Sequence, residues 1–76
     1  MDPSKTHLDV LKHLMKAGGT GNVMEFLKYD ASDFQKGFDV ANDMQNLDYV
    51  KLLYSNFTKN LVVVELTLLG RNKSML

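Results

Sequence analysis

Two β-rich runs stand close together in the last third of the chain, and they constrain its fold more than anything else. Tyr49-Val50-Lys51-Leu52-Leu53-Tyr54 and Leu61-Val62-Val63-Val64-Glu65-Leu66 are separated only by Ser55-Asn56-Phe57-Thr58-Lys59-Asn60. Both runs are dense in valine, leucine and tyrosine, and the residues between them tolerate tight backbone geometry. This is a hairpin with a loop longer than the minimal two residues. Everything before it has helical spacing, so the chain reads as α+β, with helices first and the hairpin after them.

Three helices are expected ahead of the hairpin. Thr6 and Asp9 have the spacing of a capping box, and Leu8, Leu11, Leu14 and Met15 recur three and four apart as an apolar face, with Val10 off that stripe. Gly18-Gly19 ends this helix, because glycine takes the left-handed conformation without a Cβ clash. Asn22 and Glu25 form a second capping pattern, opening a helix of two or three turns from about Asn22 to Tyr29 with Val23, Phe26 and Leu27 on its apolar side. After a break at Asp30-Ala31, Ser32 and Gln35 cap a third helix that ends near Asn46 or Leu47. Phe34, Phe38, Ala41 and Met44 form its core stripe with Gln45 at the edge, and Lys36, Asp39, Asp43 and Asn46 lie opposite. Beyond the hairpin, Thr67 caps a short last helix carrying Leu68 and Leu69, with Met75 and Leu76 further on.

Composition limits what such a chain does. Its 76 residues make one domain, 1–76, and a chain of this size buries only about 60% of its unfolded surface. The hydrophobic share of 45% is that of a globular protein. With no cysteine there is neither a disulfide framework nor a thiolate zinc site. The apolar run from Leu61 to Leu69 is too short to cross a bilayer, which takes about 20 residues, and the N-terminal residues lack the apolar core of a secretory signal. The expectation is a soluble protein of the cytoplasm. Nine basic residues balance nine acidic ones, whereas nucleic-acid binders usually show a basic excess.

The motifs that would signal chemistry do not assemble. His7 and His13 are six apart, on different faces of a helix, and have no third ligand; a helical metal pair is spaced i and i+4. Gly18-Gly19-Thr20-Gly21 lacks both the Gly-Lys-Ser/Thr and the preceding strand of a phosphate loop. Asp30, Asp33 and Asp39 lack the glycine and terminal glutamate of a calcium loop. No nucleophile stands with a base and no carboxylates pair, so the chain reads as a binding protein rather than an enzyme, with no cofactor, catalytic residue or metal ligand.

The order helix, helix, helix, hairpin, short helix resembles the winged helix-turn-helix domain of small bacterial, archaeal and phage transcription regulators of the MarR and PadR type. The resemblance spans about residues 8–71. Its most specific pieces are Ser32-Asp33-Phe34-Gln35, similar to the start of a recognition helix, and Leu66-Thr67-Leu68-Leu69-Gly70-Arg71, a pattern that follows the wing. It implies a fold of three helices, a two-stranded wing and a short C-terminal helix, and a regulator that binds double-stranded DNA. Helix 32–46 would lie in the major groove and the 56–60 wing on the phosphates. The implied contacts are Ser32, Gln35, Lys36, Asn42, Asn46, Lys59, Asn60 and Arg71. Ser32 and Gln35 read more readily as helix caps than as DNA contacts, Lys36, Asn42 and Asn46 also read as a solvated helix face, and Lys59 reads equally as a charge that keeps a hairpin tip soluble.

Two further expectations follow. Val10, Leu14, Met75 and Leu76 are apolar residues left over from one small core, and the terminal helices of related regulators commonly dimerise, so a homodimer is implied. Asp39 and Asp43 beside a single Lys36 would oppose phosphate on the third helix, since affinity for DNA comes largely from lysine and arginine. With the aromatic Phe57 in the hairpin loop, set to enter a groove or partner or to fold back onto Tyr54, they favour the alternative of a winged-helix module that binds another protein.

Overall fold

The computed structural model describes residues 4–74. Helix α1 (Lys5–Lys16) leads into a short strand β1 (Thr20–Asn22), which turns directly into the single-turn helix α2 (Val23–Phe26). A 3-10 turn over Ala31–Asp33 precedes α3 (Phe34–Asn46); strands β2 (Val50–Asn56) and β3 (Leu61–Leu66) form the hairpin, and α4 (Leu68–Ser74) closes the described chain. The strands make one antiparallel sheet in the order β1-β3-β2. The α+β class and the hairpin hold; β1 is an additional strand.

That third strand carries no sequence signal because its three residues are too few to alternate. It exists through its partner: Thr20 lies opposite Glu65, Gly21 opposite Val64 and Asn22 opposite Val63, and the Leu66 N–H donates to the Gly19 carbonyl at 2.6 Å. β3 is thereby the central strand, which accounts for its run of valines. Along β2, Val50 pairs with Leu66 and Leu52 with Val64, and Leu53 is then an extra bulged residue before Tyr54 meets Val63. Val50, Val62, Val64 and Leu66 turn inward onto α1, α2 and α3, where Val10, Leu11, Leu14, Val23, Met24, Ala41 and Met44, together with Tyr49, complete the core.

All three longer-range helix ends close the same way. After α1, Gly19 N–H reaches the Leu14 carbonyl and Gly18 N–H the Met15 carbonyl, with Gly18 at φ +85°. After α2, Tyr29 reaches Met24 and Lys28 reaches Glu25; after α3, Tyr49 reaches Met44 and Asp48 reaches Gln45. This double closure requires a left-handed residue just past the helix. Glycine fills that place after α1, but Lys28 (φ +58°) and Asp48 (φ +65°) fill the other two. The expected helix to Tyr29 therefore stops at Phe26, where no residue type announces a stop.

Several local expectations need correction. The N-cap of α1 is Ser4, whose hydroxyl accepts from His7 N–H while His7 Nδ1 accepts from Ser4 N–H, so Thr6 and Asp9 are not the capping pair. Ser32 does not cap α3: its N–H and hydroxyl both donate to Asp30 Oδ1, and Asp33, the residue before α3, caps nothing. Val10 and Leu14 are fully buried, so neither is left over for a dimer, and it is Met15 that is 37% exposed. Met75 and Leu76 lie outside the described residues. The buried stripe of α3 is Gly37, Ala41 and Met44, whereas Phe34 and Phe38 are only half-buried at its edge. Gly37 stands at the N-terminal end of that stripe, where Met24 Sδ occupies the space a Cβ would need. Thr67 behaves as expected, its hydroxyl accepting from Gly70 N–H at 3.0 Å at the start of α4.

Candidate functional site

An exposed surface runs along α3 and down to the tip of the hairpin. With Gly37, Ala41 and Met44 inward, a step of about 100° per residue turns Gln35, Asp39, Asn42 and Asn46 outward, with Lys36 and Asp43 on one flank. All six are exposed. On the other flank, Gln45 reaches β2, where its Oε1 accepts from Leu52 N–H at 2.8 Å. At the N-terminal end of α3, Phe34 stacks on Phe38 (centroids 6.4 Å apart) and meets Phe57 of the hairpin turn edge-on at 5.2 Å. The hairpin thus starts beside the last turn of α3 and ends beside the first. Phe57 packs on Phe34 rather than folding back onto Tyr54, yet it remains 65% exposed.

The hairpin tip is held from inside by two asparagines. Asn22 Oδ1 accepts from Met24 N–H (3.1 Å), capping α2, and from Val62 N–H (2.9 Å) in β3, while its Nδ2 donates to the Asn60 carbonyl (3.2 Å). Asn60 is left-handed at φ +55°, and its Nδ2 donates to the Tyr29 carbonyl at 3.1 Å. Asn56 Oδ1 accepts from Lys59 N–H at 3.1 Å and closes the turn. Phe57 and Lys59 are therefore presented on a braced loop.

The residues singled out from the sequence separate into three groups. Gln35, Lys36, Asn42 and Asn46 share the exposed face of α3, and Lys59 is exposed at the adjoining hairpin turn. Ser32 and Asn60 are engaged within the fold. Ser32 holds Asp30, whose carboxyl lies below its ordinary value chiefly because it accepts from the Ser32 hydroxyl and then from the Ser32 N–H. Asn60, half-buried, has both its amide nitrogen and its carbonyl in the brace just described. Arg71 belongs to a different surface: it lies on α4, with Nη1 3.9 Å from Met15 Sδ of α1 and its guanidinium beside Gly19. Gln35 is also shared, because its Nε2 donates to Asp39 Oδ1 at 2.8 Å, a pairing within one turn of helix.

Two features of this surface had no clear signal in the sequence. One is the aromatic edge of Phe34 and Phe38, which apolar spacing assigns to the core; the clue was Gly37, a residue with no side chain that begins the true stripe. The other is a shallow cavity of about 250 Å³ lined by His7, Asp43, Asn46 and Leu47, where the start of α1 approaches the end of α3. His13, by contrast, is exposed and stacks on Phe26 at 5.2 Å. Among the described residues no group of three or more histidines, cysteines or acidic side chains is placed to hold a metal ion, and no helix is long and apolar enough to cross a membrane. No family model matches the chain, and neither a curated protein nor a solved structure does.

Proposed function

We propose that the chain is a winged helix-turn-helix domain that binds double-stranded DNA and regulates transcription in the cytoplasm, acting by binding rather than catalysis. The observation that carries this reading is the order α1-β1-α2-α3-β2-β3 joined to the sheet order β1-β3-β2, with a hairpin lying alongside the exposed face of α3. An exposed polar helix beside a braced hairpin is the shape that enters a major groove while a loop rests on the neighbouring backbone. Gln35, Asn42 and Asn46 are then the base-reading candidates, since amide side chains offer a donor and an acceptor to adenine, and Lys36 and Lys59 are the phosphate contacts. Asn60 drops out because its amide is held inside. Arg71 requires DNA to reach α4.

The test is fluorescence anisotropy with random-sequence duplex DNA at low and moderate salt. Binding is expected to weaken as salt rises, and Lys36→Ala and Lys59→Ala are each expected to weaken it and lower the salt slope by about 1. Absence of any binding at low salt would end the proposal.

A second reading draws on different observations. Asp39 and Asp43 repel phosphate on the very face that would dock, and Phe57 is a large apolar ring held out to solvent by Phe34. Both suit a protein partner better than DNA. Recovery of one stoichiometric protein partner that Phe57→Ala no longer retains, with no DNA shift, would decide for it.

A further inference from the structure

The cavity between the start of α1 and the end of α3 brings together four residues of complementary kinds. Its volume is about 250 Å³, and His7, Asp43, Asn46 and Leu47 line it. Leu47 is half-buried and packs against the core, so the apolar part of the lining is anchored to the interior of the fold. The other three supply distinct polar groups. His7 is fixed by its capping box: its Nδ1 accepts from Ser4 N–H at 3.3 Å, while its own backbone N–H donates to the Ser4 hydroxyl at 3.2 Å. A neutral imidazole whose Nδ1 accepts carries its hydrogen on Nε2, so the polar group that His7 has left to offer is a donor. Asp43 and Asn46 are exposed; the first brings a negatively charged acceptor and the second an amide that both donates and accepts.

We propose that this cavity binds a small organic amine. Its protonated nitrogen would meet the Asp43 carboxylate, its hydrocarbon or aromatic body would cover Leu47, and an oxygen on that body would accept from His7 Nε2–H or the Asn46 amide. Sites for small molecules are built this way, from apolar lining and a few convergent polar groups. A volume of about 250 Å³ lies just under their usual range, which selects a compact ligand rather than a nucleotide or a peptide. With His7 neutral, Asp43 carries the one formal charge of the lining. The group that holds the amine therefore also turns away an anion of the same shape. Asp43 and Asn46 belong to the exposed surface of α3 as well, so an occupied cavity changes what that surface presents to a partner. That consequence rests on the proposed function; the site itself does not.

Amide NMR titrations of the whole chain, without DNA, test it with two probes. Tyramine carries an ammonium, an aromatic body and a hydroxyl oxygen, and para-hydroxyphenylacetate replaces the ammonium by a carboxylate on nearly the same body. Tyramine is expected to shift the amides of His7, Asp43, Asn46 and Leu47 saturably, with a Kd of about 1 mM for so small a ligand. The carboxylate should bind at least about tenfold more weakly. Asp43→Asn keeps the shape of the lining and should weaken tyramine about tenfold, whereas Asp39→Asn, which removes a carboxylate of α3 outside the cavity, should not. The same spectra show whether both variants are folded. No saturable shift up to about 10 mM tyramine, shifts centred on other residues, equal binding of the two probes, or an equal loss in Asp39→Asn would each overturn the proposal. Each of these results is read whether or not the protein binds DNA.

Discussion

At the scale of single residues, the fold depends on a few backbone conformations that side chains do not favour. Lys28 and Asp48 take the left-handed place that closes α2 and α3, a conformation that costs a residue with a Cβ roughly 1–2 kcal/mol and glycine almost nothing. Lys28→Gly and Asp48→Gly are therefore each expected to stabilise the protein, by about 0.5–1 kcal/mol after the added freedom of the unfolded chain is subtracted. Urea denaturation checks this, and loss of stability in both variants would contradict the closure described. The opposite constraint applies at Gly70, where a Cβ would overlap the Tyr49 carbonyl. These positions also explain what the sequence left unseen. Gly18-Gly19 announces the end of α1 in its residue type, but nothing about a lysine or an aspartate says that the chain turns there.

At the scale of elements, Asn22 joins more of the structure than any cap is expected to. Its one side chain serves the start of α2, the second residue of β3 and the carbonyl at the hairpin's last turn residue. Asn22→Ala leaves two backbone N–H groups and one carbonyl without partners, and a loss of about 2–3 kcal/mol is expected by chemical denaturation. Asn22→Asp keeps both acceptor contacts and should lose distinctly less; equal losses would show that the acceptor contacts carry little. The Asn22 cap was visible in the sequence as a local pattern, and its reach to Val62, forty residues on, was not, because long-range pairing leaves no spacing to read. The same holds for β1, which borrows its existence from β3. Of the candidate site, the exposed side of α3 and the position of the hairpin turn were legible from periodicity. The inward turn of Asn60 and the separation of Arg71 from α3 follow from tertiary contacts alone.

At the scale of the whole molecule, β3 ties the fold together, flanked by β1 and β2 and covered by helices on its inner side. Val64 is fully buried at its middle, opposite both Gly21 and Leu52. Val64→Ala is expected to cost about 1–3 kcal/mol through a lost transfer term and a cavity. In a domain of this size that should lower Tm by several degrees. The helical and near-ultraviolet signals should fall together, in one transition. Separate transitions would mean that the hairpin and the helices hold independently.

The contact between Gln45 and Leu52 has one more consequence. β2 is the long outer strand of an open sheet, and such a strand offers its bare amides as a template on which foreign chains polymerise. Here one of those amides is already engaged by a glutamine side chain, and the bulge at Leu53 breaks the line beyond it. Both features make this border a poorer template for strand addition than a bare, unbroken strand would be.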